Sequence, residues 1–314
     1  MVNSEDINSK PSKPPSPITG GEVQLIETIS CEALIKRYKS KLNIDVSRFF
    51  EGISTIQIYE CIDTKYRFFY PFNISGDGKF YEQLQDTRGY YLPWKWEHET
   101  ALEYIKSDES LLEIGSARGA FLEGLKKRFG VNFNGRGIEL NEAAAKMAQE
   151  KGLHVDVKFI QEVAEKESES YDVICFFQVL EHINDVMPFM QSAVKCLKPK
   201  GKIILSVPNN ASFIRDIPMN HLNMPPHHMG LWDKESLTNV SEILNLKPVD
   251  FRFEALSPIH VWSYYHVKMI KLFGNNIFAK LMLVAMLPII WYKKSKGLNP
   301  NIEGHTILGV FEKK

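Results

Sequence analysis

Three groups of side chains in this sequence have the types and spacing to do chemistry. The first is the stretch LLEIGSARGAFLEGL at 111–125, where Glu113 precedes Gly115 and Gly119. The second is a lone acid, Glu139, at the end of the next apolar run. The third is a set of histidines: His182 in LEHIND, and His227 and His228 in PPHHMGLW. Glycines between a strand and a helix let the backbone turn sharply and approach a ligand, and the helix amino end supplies free N–H groups. A carboxylate one strand–helix unit later can accept hydrogen bonds from both hydroxyls of a ribose. The first two groups therefore predict a nucleoside site. A dinucleotide fingerprint would need glycines at 115, 117 and 120. The chain has Gly115, Ala117 and Ala120 there, which weakens a pyrophosphate reading.

The elements that must hold these groups follow from periodicity. Short apolar runs at Leu111–Ile114, Gly137–Leu140, Val155–Ile160, Tyr171–Phe177 and 201–208 alternate with helical stretches. The first helix, within Arg118–Phe129, puts Phe121, Leu122, Leu125 and Phe129 on one face. Asn141 is placed to cap the second helix, and Asn184 or Asp185 to start the third. Near-continuous apolar strands alternating with helices predict an α/β fold, a parallel sheet covered on both faces. Ligands in such sheets sit at the carboxyl ends of the strands. The 115–119 loop, Glu139, Gln178–His182 and Pro208–Asn210 all fall there. Further on, Asp233 is placed to cap a helix, 249–255 alternates as a half-exposed strand, and the last residues read as a final strand.

These signals divide the chain into a disordered tail (1–22), an aromatic N-terminal cap (23–99), a core (100–257), an apolar insertion (258–300) and the last core strand (301–314). The tail is polar and rich in Ser, Pro and Lys, without the apolar stretch of a secretory signal. Lys+Arg and Asp+Glu are both 38, so no nucleic-acid partner is expected. Four scattered cysteines, none in a C-x-x-C pair, fit small buried side chains in a reducing cytoplasm.

Glu113–Gly119, then Gly137-Ile138-Glu139-Leu140, then YDVICFFQVLEHINDV and CLKPKGKIILSVPN resemble the successive motifs of class I S-adenosylmethionine-dependent methyltransferases. The nearest subgroup is similar to the ubiquinone-biosynthesis O-methyltransferase. The resemblance covers about 105–257 and the last strand. It implies a Rossmann-like, seven-stranded, mostly parallel sheet sandwiched by helices, and S-adenosylmethionine as cofactor. It also implies that Glu113 and the Gly115–Gly119 backbone, Ser116 and Ala117 included, hold the methionine part. Glu139, with Leu140 beside it, would hold the ribose, Gln161 or Glu162 would meet the adenine, and Gln178 would face the methionine or sulfonium. Ala117 departs from the middle glycine that many members carry.

Methyl transfer from a sulfonium depends on placing the acceptor in line and excluding water. A base is needed when the acceptor is a hydroxyl, and histidine suits that role near neutral pH. His182 and His228 are the candidates, the latter on a loop where a substrate lid would lie. Two adjacent histidines also suggest a metal, but a third ligand at sensible spacing is missing, so none is expected. Tyr90, Tyr91, Trp94 and Trp96 are placed to cover the cofactor or to form the cap's own core. The expected activity is O-methylation of a small molecule or a glycan or lipid precursor. N- or C-methylation of a sugar or natural-product intermediate stays open. An NAD(P)-dependent oxidoreductase and a non-catalytic scaffold are the rival classes. The apolar stretch 281–294 is too short to span a membrane and carries Pro288. It reads as a pocket roof or homodimer contact, with a membrane surface as the alternative.

Overall fold

The computed structural model describes residues 13–85, 94–296 and 301–314. The cap begins with β1 (Val23–Ser30), whose last residue caps α1 (Cys31–Leu42): Ser30 Oγ accepts from the Ala33 N–H (3.3 Å). β2 (Thr55–Cys61) and β3 (Arg67–Tyr70) follow, paired antiparallel in the order β1-β2-β3, and then α2 (Gly78–Gln85). Ser16 and Ile18, in the stretch the sequence suggested was disordered tail, are buried instead. Ser16 Oγ donates to Cys61 Sγ (3.0 Å), and the Gly20 N–H donates to the Ser16 carbonyl (2.9 Å).

The core runs α3 (Trp96–Ala101), β4 (Leu111–Ile114), α4 (Ala120–Phe129), β5 (Gly135–Ile138), α5 (Glu142–Glu150), β6 (Val155–Asp156), α6 (Ile160–Lys166), β7 (Tyr171–Phe177), α7 (Val186–Cys196) and β8 (Leu197–Pro208). It continues with β9 (Gly230–Leu231), α8 (Lys234–Ile243), β10 (Leu246–Ala255), α9 (Val261–Phe273), α10 (Ile277–Ala285), α11 (Leu287–Lys296) and β11 (Glu303–Lys313). Seven strands form one sheet in the order β10-β11-β8-β7-β4-β5-β6. β4 through β8 pair in parallel, and β11 runs antiparallel to both its neighbours. This is the expected Rossmann-like sheet. β4 is buried along its whole length, as a strand covered on both faces must be. The strand order steps outward from β4 to β5 and β6 on one side and from β7 to β8 on the other. That reversal opens a crevice at the carboxyl ends of β4 and β7.

Two local readings change. The third apolar run is only a two-residue strand, Val155–Asp156, and α6 begins at Ile160 with Phe159 at its N-cap. Gln161 and Glu162 therefore sit in the first turn of a helix rather than after a strand. The cap sheet, moreover, is not purely N-terminal. β9, from beyond the fifth core strand, pairs antiparallel with β3 as its fourth member.

Candidate active site

The crevice is an open cleft of about 1780 Å³ whose walls include Glu113, Gly115, Ser116, Ala117, Glu139, Leu140, Gln161, Gln178, His182 and His228. At one end the 115–119 loop crosses from β4 to α4. Gly115 and Gly119 both have φ +73°, and Gly119 stands at the helix N-cap. A Cβ on Gly115 would lie 2.6 Å from Val179 Cγ2, and one on Gly119 would lie 2.3 Å from Leu153 Cδ1, so the left-handed angle calls for glycine at both positions and a side chain there would also push its neighbours aside. Ala117 takes the left-handed region too, at φ +46°, where a side chain is strained. Its N–H donates to Glu139 Oε2 (2.8 Å), while the Asn141 N–H donates to Glu139 Oε1 (2.8 Å). Glu139, half-buried just past β5, thus organises the loop across from it. Asn141 caps α5 as expected, its Oδ1 accepting from the Ala144 N–H (3.0 Å).

Glu113 is buried in β4, with Oε2 unpartnered. Burial first, and then the charge of Glu139, push its carboxyl up to about 8. The Ser116 Oγ, which lies over Gly137, is also buried and unpartnered. An orphaned acid and an orphaned hydroxyl within a glycine-lined loop fit a ligand that brings a cation and polar groups, as the amino-acid part of S-adenosylmethionine does. Gln178 follows β7 at φ +56°, with its N–H donating to the Ser206 carbonyl (2.9 Å). Gln161 faces the cleft, whereas Glu162 turns back to accept from the Phe159 N–H (2.7 Å), as a helix cap does.

At the other end three histidines converge. The ring nitrogens of His182, His227 and His228 available as ligands all lie within 4.8 Å of one another. The sequence spacing offered no third ligand beside His227 and His228, but the fold supplies His182. The reason for expecting no metal therefore does not survive. The proton on each outer ring is placed by its neighbours. His182 Nδ1 lies 2.6 Å from the His227 carbonyl, which only accepts, so Nδ1 carries the proton and Nε2 the lone pair. His228 Nδ1 lies 3.1 Å from Asn223 Oδ1, whose orientation is fixed because Asn223 Nδ2 donates to Asn210 Oδ1 (2.7 Å). Burial lowers His182 to about 4 and holds His227 and His228 well below the usual histidine range. All three rings are neutral at pH 7.

The segment carrying His227 and His228 is strapped on both sides. The Met229 N–H donates to the Glu181 carbonyl (2.8 Å), and the Met229 carbonyl accepts from the Phe69 N–H (2.9 Å). Asn184 Nδ2 donates to the Phe72 carbonyl (2.9 Å) and to Ser75 Oγ (3.0 Å), tying the core loop to the cap.

Several wall residues escaped the sequence-based expectation. Tyr81 on α2 places its hydroxyl 3.1 Å from His182 Nδ1 and donates to the His227 carbonyl (3.2 Å). Glu181 is buried with both carboxylate oxygens unpartnered, and burial raises it to about 8. Lys95, His98 and His305 also face the cleft, and burial lowers both histidines to about 3. Phe159, a large apolar side chain left 58% exposed, lines the cleft near Gln161. The LEH and PPHH stretches pointed to some of this wall, but nothing local marked Tyr81. Trp94 packs on α4 instead of the cleft: a Cβ on Gly124 would lie 2.2 Å from its ring. Trp96 packs against the hydrophobic core, and Tyr90 and Tyr91 lie outside the described residues.

A family model described as a methyltransferase domain matches residues 88–250, just over half of the chain. The chain belongs to this family and is a class I enzyme whose cofactor is S-adenosylmethionine. Among curated proteins it is similar to the ubiquinone biosynthesis O-methyltransferase of Actinobacillus pleuropneumoniae serotype 7, at 29% identity over 40% of this chain and 58% of the relative. It is also similar to the enzyme of that name from Nitrosococcus oceani, at 31% identity over 41% of this chain and 60% of the relative. The chain thus spans less than two thirds of the length of these relatives. Among solved structures it is similar to a SAM-dependent methyltransferase from Archaeoglobus fulgidus (19% identity, 68% of this chain and 90% of the other, TM-score 0.48). Another is the geranyl diphosphate C-methyltransferase from Streptomyces coelicolor A3(2) (11% identity, 69% and 77%, TM-score 0.46).

Proposed function

We propose that this enzyme transfers the methyl group to a hydroxyl oxygen of a small molecule or of a glycan or lipid precursor. S-adenosylmethionine, when bound, supplies a methyl group on a cationic sulfur. Glu113 receives the ligand's ammonium group, and the 115–119 backbone with Ser116, Ala117 and Gln178 lines the methionine end. Glu139 accepts from the ribose hydroxyls with Leu140 against it, and Gln161 lies on the adenine side. Glu162 is left to its capping role. The cleft exceeds the 300–1,000 Å³ of an ordinary small-ligand site, which leaves space for an acceptor beside the cofactor.

The observation that carries the oxygen reading is the His182 ring. Its proton is committed to the His227 carbonyl, so Nε2 is ready to take a proton from an acceptor hydroxyl as the new bond forms. His228 is set in the same tautomer and stands as the second proton acceptor or as an acceptor contact. The names of the curated relatives support the same reaction. Four unpaired, buried cysteines support a reducing cytoplasm. The test is to incubate the enzyme with isotopically labelled S-adenosylmethionine and panels of phenols, glycans and polyprenyl compounds, and to locate the label by mass spectrometry. Label on oxygen supports the proposal; label on carbon or nitrogen of the preferred acceptor overturns it.

A further inference from the structure

Residues 259–292 leave an unusual amount of apolar surface in water. Twelve of the twenty-three exposed large hydrophobic side chains among the described residues fall within this segment. α10 shows why they cannot be core. Ala279 and Leu283 face inward, while Ile277, Leu281 and Val284, at i, i+4 and i+7, form a stripe that is 56–71% exposed. Trp291 on α11 is 75% exposed, and Trp262 on α9 is 47% exposed. Contiguous exposed apolar surface of this kind marks a surface that meets something.

The charge pattern says what. From 255 to 302 the sequence has no Asp or Glu, yet it has six lysines, in a chain whose totals balance at 38 and 38. Lys271 pairs with Asp216 (2.7 Å), and Lys268 and Lys280 are exposed on the same three-helix unit. A second copy of the chain is a poor occupant. A two-fold contact would set lysines against lysines with no acid of the segment to answer them. Neither is the segment a span, since no helix among the described residues is long and apolar enough to cross a membrane. A bilayer with anionic headgroups answers both features. Acyl chains take the apolar stripe, tryptophans suit the boundary between hydrocarbon and water, and lysines meet the phosphates.

We infer that α9–α11 form an interfacial platform that docks this enzyme on an anionic lipid surface. The platform adjoins the acceptor end of the cleft. Its own core includes Phe213 and Ile214, which follow β8, and His260 at its start stacks on His305 (5.0 Å), a cleft residue. A bilayer-held acceptor would thus be met on the side where the three histidines gather. The docking does not depend on which atom is methylated.

The test uses the whole chain, co-sedimented with vesicles of phosphatidylcholine alone or mixed with phosphatidylglycerol, at low and high salt. Wild type should pellet with the mixed vesicles and be released by salt. The double substitution Leu281→Glu with Trp291→Glu, both at exposed positions, should lower partitioning at least about tenfold. Its cofactor affinity by calorimetry should stay at the wild-type value, which separates loss of docking from loss of fold or of the active site. Lys268→Glu with Lys280→Glu, which leaves the apolar stripe intact, should abolish the preference for the anionic vesicles. A wild type that ignores both vesicles, or variants that pellet as wild type does, would overturn the inference. So would a wild-type dimer that the first pair of substitutions dissociates, because the face would then belong to a second copy.

Discussion

The two ends of the cleft are built in opposite ways. At the proposed cofactor end most groups come from a strand terminus and the few residues after it: Glu113–Gly119 at the end of β4, Glu139–Asn141 after β5, and Gln178 after β7, with Gln161 added from the first turn of α6. Its chemistry is carboxylate and backbone N–H. At the acceptor end the wall is assembled from α2, the turn after β7 and the segment before β9, and its chemistry is neutral imidazole, phenol and a buried acid. The first end repeats a solution dictated by the sheet. The second uses the sheet only as a floor. One consequence is that the cofactor end can be read locally, whereas the acceptor end exists only once the cap has packed on the core.

The sharpest test of this contrast removes one anchor from each end. Glu139→Ala should weaken S-adenosylmethionine binding by about 3–6 kcal/mol, the worth of two charge-assisted hydrogen bonds, as measured by calorimetry. It also frees the Ala117 and Asn141 N–H groups, so the melting temperature should fall by a few degrees without loss of the folded state. Unchanged affinity would refute the ribose role. His182→Ala should leave cofactor affinity intact and lower kcat by about 10²-fold or more. Undiminished turnover of the native acceptor would remove His182 as the base and break the proposed division of labour.

A third prediction concerns pH. A cation binds the ionised form of Glu113, and the free protein keeps that carboxyl protonated below about pH 8. Cofactor affinity should therefore rise by up to about tenfold per pH unit toward pH 8 and then level off, with proton release on binding. Glu113→Gln should flatten this rise, and a wild-type affinity that is already flat would show that Glu113 does not meet the ammonium group. The smallest effect belongs to Ala117→Gly. Relief of the positive φ should raise stability by up to about 1 kcal/mol in thermal melts, with the cofactor site intact. A destabilised variant would mean that the alanine methyl contributes packing.

The legibility of the site follows from the same contrast. Gly115, Gly119, Glu113, Glu139 and the Asn141 cap could be read because turn angle, helix capping and strand-end placement are local constraints that the sequence carries within a few residues. The register after the third strand could not be read, because that strand is only Val155–Asp156 and two residues carry no periodicity. His182 was legible as a candidate, but its partnership with His227 and His228 was not, since 45 residues of chain separate it from the first of them. Tyr81 carried no local mark. The membership of Gly230–Leu231 in the cap sheet was hidden for the same reason: two residues pair with a strand more than 160 positions earlier.

The double strap at Met229 has a bearing on how this enzyme would change partners over evolution or in the laboratory. A residue whose N–H donates to Glu181 and whose carbonyl accepts from Phe69 is held against swinging aside like a door, so it works as a fixed partition. Whatever molecule it accommodates must slip in around a rigid wall. A chimera meant to accept a different molecule would therefore need the 221–231 segment and the β3–α2 region exchanged as one unit, since either alone would leave half of the partition without its seat.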